Sequence, residues 1–160
     1  MRTLIENGTV VTAADSFPAD VWIDDGVIVA LAAKERRAAF AAERVIDAAG
    51  RLVMPGGIDV HTHLDMPFMG TTSRDDFATG TIAAAHGGTT TVVDFAIQTR
   101  GASLRQGLDA WHAKAEGKAA IDYGFHMIMS DVNDASLAEM DQLVAEGVPD
   151  FKLFTAYPGV

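Results

Sequence analysis

The sequence has no cysteine among its 160 residues. That excludes a disulfide framework, a thiolate metal site and a thiolate nucleophile. Any metal must then be held by histidine, carboxylate or a modified side chain. Basic residues are scarce, 12 against 22 acidic ones for a net charge of −10, and they form no cluster. Nucleic acid and anionic membrane are therefore not expected as partners. No apolar run approaches the roughly 20 residues of a membrane-spanning helix, and "MRTLIENGTVVTAAD" turns polar too early for a secretion signal. What is present is 49% apolar and 21% charged, which suits a packed core rather than disorder. The composition describes a soluble, acidic, cytoplasmic protein.

Turn residues divide the chain near Gly50. Before it, "TLIENGTVVT", "ADVWIDDGVIVAL" and "RVIDAAGRLVMPG" are β-rich runs broken by Asn-Gly, Asp-Gly and Ala-Gly. Asp25-Gly26 between alternating apolar runs predicts a hairpin, and Lys34 to Glu43 a short helix. Residues 1–50 are expected to form a small antiparallel β unit. After Gly50 the rhythm becomes strand, loop, helix. "GGIDVHTHL", "TTTVVDFAI", "YGFHMIMS" and "DFKLFTAY" read as strands, with helices at Asp75–His86, Ser103–Gly117 and Ala135–Glu146. Such alternation predicts an α/β fold with parallel strands and helical crossovers.

Two of the five histidines fall in "VHTHL". On a strand, residues i and i+2 face the same side, so His61 and His63 project together. Two neutral imidazoles so placed can chelate one zinc-like ion. The C-terminal end of a strand in a parallel α/β barrel is also where active sites sit. Spacing alone leaves the other reading open: two hydrogen-bonded, inert polar residues at a strand end. Asp65 reads as a solvated loop carboxylate, His86 as a cation at a helix C-terminus, and His112 as a surface or packing residue. His126 shares a strand face with Gly124 and Ile128 and reads as a satisfied core histidine rather than a ligand.

Lys152 lies inside the apolar run "DFKLF" and shares a face with Phe154. Burial without a partner favours the free amine of a lysine, and a free amine can add carbon dioxide to give a carbamate, a carboxylate on a long stem. The competing reading is a lysine that snorkels to solvent or meets an acid.

"PGGIDVHTHL", "GGTTTVVDFA" and "DFKLFTAYPGV", with the "DMPFMG" loop and "SLRQGLDAWHAKAEGKAAIDYGFH", together resemble dihydropyrimidinases and D-hydantoinases, cyclic-amide hydrolases of the amidohydrolase superfamily. The resemblance runs along essentially the whole chain. It implies a TIM-like, metal-dependent (β/α)8 barrel with a β-sandwich built from both chain ends. Residues 1–50 would be the N-terminal sandwich segment and residues 51–160 the first half of the barrel. It also implies that His61 and His63 bind the more buried metal and that Lys152, as N6-carboxylysine, bridges two divalent cations, usually zinc. Tyr157 would hydrogen-bond the oxyanion of the tetrahedral intermediate. Met66, Phe68 and Phe154 match positions lining the pocket for the substrate's exocyclic group, while Thr155 departs from the methionine common in "FMAY".

The implied reaction is hydrolysis of 5,6-dihydropyrimidines or 5-substituted hydantoins to N-carbamoyl amino acids by water activated between the two cations. An aspartate and two further histidine ligands belong to later strands in this family. A barrel takes about 250 residues, more than the 160 here, so this portion alone is expected to be inactive. The implied partners are a small cyclic diamide and further copies of the chain, as a homotetramer. Allantoinase or dihydroorotase chemistry, and a non-catalytic scaffold related to dihydropyrimidinase, are the alternatives.

Overall fold

The computed structural model describes residues 1–33 and 41–155. The chain forms two compact units, Met1–Pro55 and Gly56–Val160, so the division falls just after Pro55 rather than at Gly50.

The first unit contains β1 (Arg2–Glu6), β2 (Thr9–Val11), β3 (Ser16–Pro18), β4 (Asp20–Asp24), β5 (Val27–Ala32), β6 (Arg44–Asp47) and β7 (Leu52–Val53). They make two sheets, ordered β5-β4-β1-β6 and β3-β2-β7. The predicted hairpin joins β4 to β5, with Asp25 at φ 51° and Gly26 at φ 83°. Two successive left-handed residues match the right-handed twist of the flanking strands. The sheets are not wholly antiparallel, as the sequence led us to expect: β6 runs parallel to β1, and β7 parallel to β2. Parallel neighbours cannot be joined by a tight turn, and here each pair is separated by intervening strands. Local hairpin signals could not reveal those distant pairings. Leu4, Val21 and Trp22 are buried in this unit. The helix expected from Lys34 falls largely on residues 34–40, outside the described residues, and Ala41–Glu43 is not helical.

The second unit contains β8 (Gly57–Thr62), β9 (Pro67–Phe68), β10 (Thr71–Thr72), α1 (Phe77–His86), β11 (Thr89–Ile97), α2 (Leu104–Ala115), β12 (Asp122–Ile128), α3 (Asp134–Ala145) and β13 (Phe151–Lys152). Its main sheet has the order β13-β12-β11-β8, with every pair parallel. Sequence order equals spatial order, and a helix intervenes from β8 onward. The chain is thus α/β, the N-terminal part of a TIM-like barrel. Two details differ from the sequence reading. The fourth strand covers only Phe151–Lys152. The "DMPFMG" stretch closes as a small hairpin of β9 and β10, turned by Met69 at φ 47° and Gly70 at φ 80°.

Side-chain capping sets the helix starts. Asp76, Ser103 and Asn133 each accept a hydrogen bond from the first-turn backbone, and Thr79, Gln106 and Ser136 bond back to the cap. Helix α2 buries Leu104, Gly107, Leu108, Trp111 and Ala115, a stripe at helical spacing. Gly107 permits its close approach to β11, since a Cβ there would lie 2.7 Å from the Ile97 carbonyl oxygen.

Candidate metal centre

Alternation sorts the strands of the second unit into two faces. One lies beneath the helices and includes Thr62, Asp94 and Phe125. The other gathers around the ring of Phe95. The His61 ring centroid lies 4.6 Å from that of Phe95, His63 5.1 Å and His126 4.8 Å. The Lys152 ammonium sits 4.3 Å above the same ring and 4.9 Å from Phe154. His61 and His63 are 5.0 Å apart, edge to face. Strands β8, β12 and β13 thus bring three imidazoles and an amine to the face centred on Phe95 of β11.

His63 is exposed across this open face, yet its imidazole is held below its ordinary value. Desolvation is the main cause, followed by the neighbouring His61. Asp94 pulls the other way, and Lys152 adds a further lowering. A neutral ring keeps the lone pair a metal requires. Lys152 is half-buried, and no carboxylate among the described residues pairs with it. Two aromatic rings wall its amine, which leaves its end on the same face as the two imidazoles. Two histidine nitrogens are donors that suit a borderline divalent cation. No group of three or more acidic or histidine side chains gathers as a metal cluster among the described residues.

The remaining predicted residues are spread more widely. Met66 is buried in the core with Phe77 and Phe95. Phe68 is exposed on the small hairpin, and Phe154 packs on the core beside Lys152. Tyr157 lies outside the described residues. His126 is satisfied, as the sequence suggested: its Nε2 donates to the Val60 carbonyl at 2.9 Å and its Nδ1 lies 3.4 Å from Asp150. Asp65 is not a solvated loop carboxylate. It is half-buried, 3.9 Å from the Lys114 ammonium, which also donates to the Asp65 carbonyl. His112 packs edge-on against Phe125 at 4.9 Å. Sequence reasoning missed Asp94 and Trp111, which meet beneath β8. The signal was a charged residue inside the apolar run "TVVDFAI".

Residues 52–156 match the amidohydrolase family. The chain belongs to that family. Among curated amidohydrolases it is similar to the D-hydantoinase of Streptomyces coelicolor, 65% identical over 161 residues, covering 99% of this chain and 34% of the relative. It is also similar to the dihydropyrimidinase of Rattus norvegicus, 44% identical over 159 residues, covering 98% of this chain and 31% of that one. The crystal structure of dihydropyrimidinase from Brevibacillus agri superposes with a TM-score of 0.94 at 52% identity, covering all of this chain and 34% of that one. The chain spans about a third of the length of these relatives.

Proposed function

We propose that the full-length protein hydrolyses the cyclic amide bond of 5,6-dihydropyrimidines or 5-substituted hydantoins to N-carbamoyl amino acids. The observation that carries the reading is the meeting of His61, His63 and Lys152 around Phe95, in a chain 65% identical to a D-hydantoinase. His61 and His63 would hold the more buried of two divalent cations, taken to be zinc, and Lys152 as N6-carboxylysine would bridge to the second. When bound, such a pair supplies Lewis acidity to the attacking water and to the amide carbonyl.

This chain's own residues do the rest. Lys152 provides the amine that adds carbon dioxide, losing one proton as the carbamate forms. Phe95 and Phe154 wall that group with aromatic surface. Tyr157 donates its hydroxyl to the oxyanion that develops at the carbonyl, an interaction of about 3 kcal/mol where such donors have been removed. Phe68, exposed on the small hairpin, and Phe154, beside Lys152, would present apolar surface to the substituent at the ring's 5-position, while Met66 packs in the core. The resemblance extends the proposal to a cytoplasmic homotetramer.

Assays of the full-length protein on dihydrouracil, 5-phenylhydantoin, allantoin and dihydroorotate test the reading. Turnover of the first two is expected. Turnover of allantoin or dihydroorotate alone would overturn the substrate assignment, and absence of both turnover and bound metal would favour a scaffold.

A further inference from the structure

The Asp94 carboxylate is fully buried and faces four donors. Its Oδ2 accepts from the Thr62 hydroxyl at 2.8 Å and the Leu64 amide at 2.7 Å. Its Oδ1 accepts from the Trp111 indole at 3.1 Å and the Phe95 amide at 2.8 Å. Thr62 and Leu64 flank His63 on either side. Phe95 is the ring on which both histidines rest.

We propose that Asp94 is a positioning residue for the His61–His63 pair: one buried carboxylate pins the peptide on both sides of His63 and ties it through Trp111 to helix α2. The inference rests on reading those histidines as the metal pair and extends it to a group that touches no metal. Alternation explains the arrangement. Residues 62 and 64 face away from the metal side, so the only route to fix residue 63 from behind is through them. Only a side chain accepting on two oxygens suits this place. Asparagine offers one oxygen, and its amide group would set N–H against N–H, towards either Trp111 and Phe95 or Thr62 and Leu64. Helix α2 secures the next residue as well, since Lys114 lies 4.2 Å over the Trp111 ring and donates to the Asp65 carbonyl.

The test compares full-length wild type with Asp94→Asn and Trp111→Phe. Leu143→Ala serves as a control, because Leu143 is fully buried on α3 and its truncation weakens the core without touching β8. Two readouts are taken: amide hydrogen exchange at Leu64 in chelator-treated protein, and cobalt(II) affinity by chelator competition with its visible spectrum. For Asp94→Asn, Leu64 exchange should quicken at least about tenfold, and cobalt affinity should fall about 10- to 100-fold with altered bands, as for partners of metal-binding histidines elsewhere. Trp111→Phe should shift both in the same direction by less. Should Asp94→Asn fail to fold, Thr62→Val removes one donor, keeps the carboxylate and carries the same expectation. Unchanged Leu64 exchange, unchanged cobalt affinity, or an equal loss in Leu143→Ala would overturn the proposal. Exchange that responds to Asp94→Asn in a protein whose wild type takes up no cobalt would sink the metal reading and leave the positioning role standing.

Discussion

Lys152 reaches the Phe95 face with an ammonium bounded by two aromatic rings, so its chemistry rather than its charge pairing decides its role. In the full-length protein, Lys152→Ala should remove most bound metal and at least two orders of magnitude of hydrolysis. A small carboxylic acid in excess should restore part of the activity by standing in for the carbamate. Metal analysis and rescue kinetics check this, and a plain amine on Lys152 in the mass spectrum of active holoenzyme would rule the carbamate out. At this scale the sequence spoke unevenly. The period of a strand was enough to place His61 and His63 on one face, and the apolar setting of Lys152 was visible in "DFKLF". Asp94 was not legible, because its meaning depends on donors from β8 and from α2, brought together only by the crossover of the chain. Lys114 hid the role of Asp65 in the same way. A salt bridge across 49 residues leaves no local pattern.

The elements that hold the site are β8, β11 and α2, and their fit depends on Gly107. A methyl group there would press on the Ile97 carbonyl at 2.7 Å, so α2 must move outward and take Trp111 with it. Gly107→Ala should cost about 1–3 kcal/mol, the usual range for overpacking, despite the higher helix propensity of alanine. A lower denaturant midpoint checks it. Helix α3 is tied to α2 by the Arg105–Glu146 pair. The hydrogen bond from Arg105 is the main reason the Glu146 carboxyl lies below its ordinary value. A depressed carboxyl contributes stability above its unfolded value and loses it as pH falls through the folded one. Glu146→Gln should therefore lower the melting temperature slightly at pH 7 and not at all at pH 2, where wild type has lost the same contribution. The effect should be small, because the pair is exposed. Helix starts were legible to within two residues from the alternation of apolar strands and helical segments, and in the structure Asp76, Ser103 and Asn133 cap them. Pairings of β6 and β7 were not, since parallel partners come from afar and no turn announces them.

As a whole molecule, the second unit presents a parallel sheet of four strands, β8 to β13, where a closed barrel has eight. Among the described residues β8 and β13 are its edges, and Ile58 and Val60 on β8 are largely exposed. Unpaired parallel edges invite association with other strands. The chemistry is equally incomplete: among the described residues, the Phe95 face gathers two candidate histidine ligands and one lysine, with no larger cluster of metal-binding side chains. His126 is already engaged on both ring nitrogens, by the Val60 carbonyl and by Asp150 at 3.4 Å. Two imidazoles can hold a cation weakly, and among the described residues no third histidine or acidic side chain groups with them to fix a second. Residues 1–160 expressed alone, with zinc and bicarbonate, should therefore show no turnover of dihydrouracil or 5-phenylhydantoin while the full-length protein does. They should also elute as larger species and bind a hydrophobic dye more strongly. Comparable turnover by the short chain would mean that a complete proton path and a second cation site lie within it, and the division of labour drawn around Phe95 would have to be abandoned.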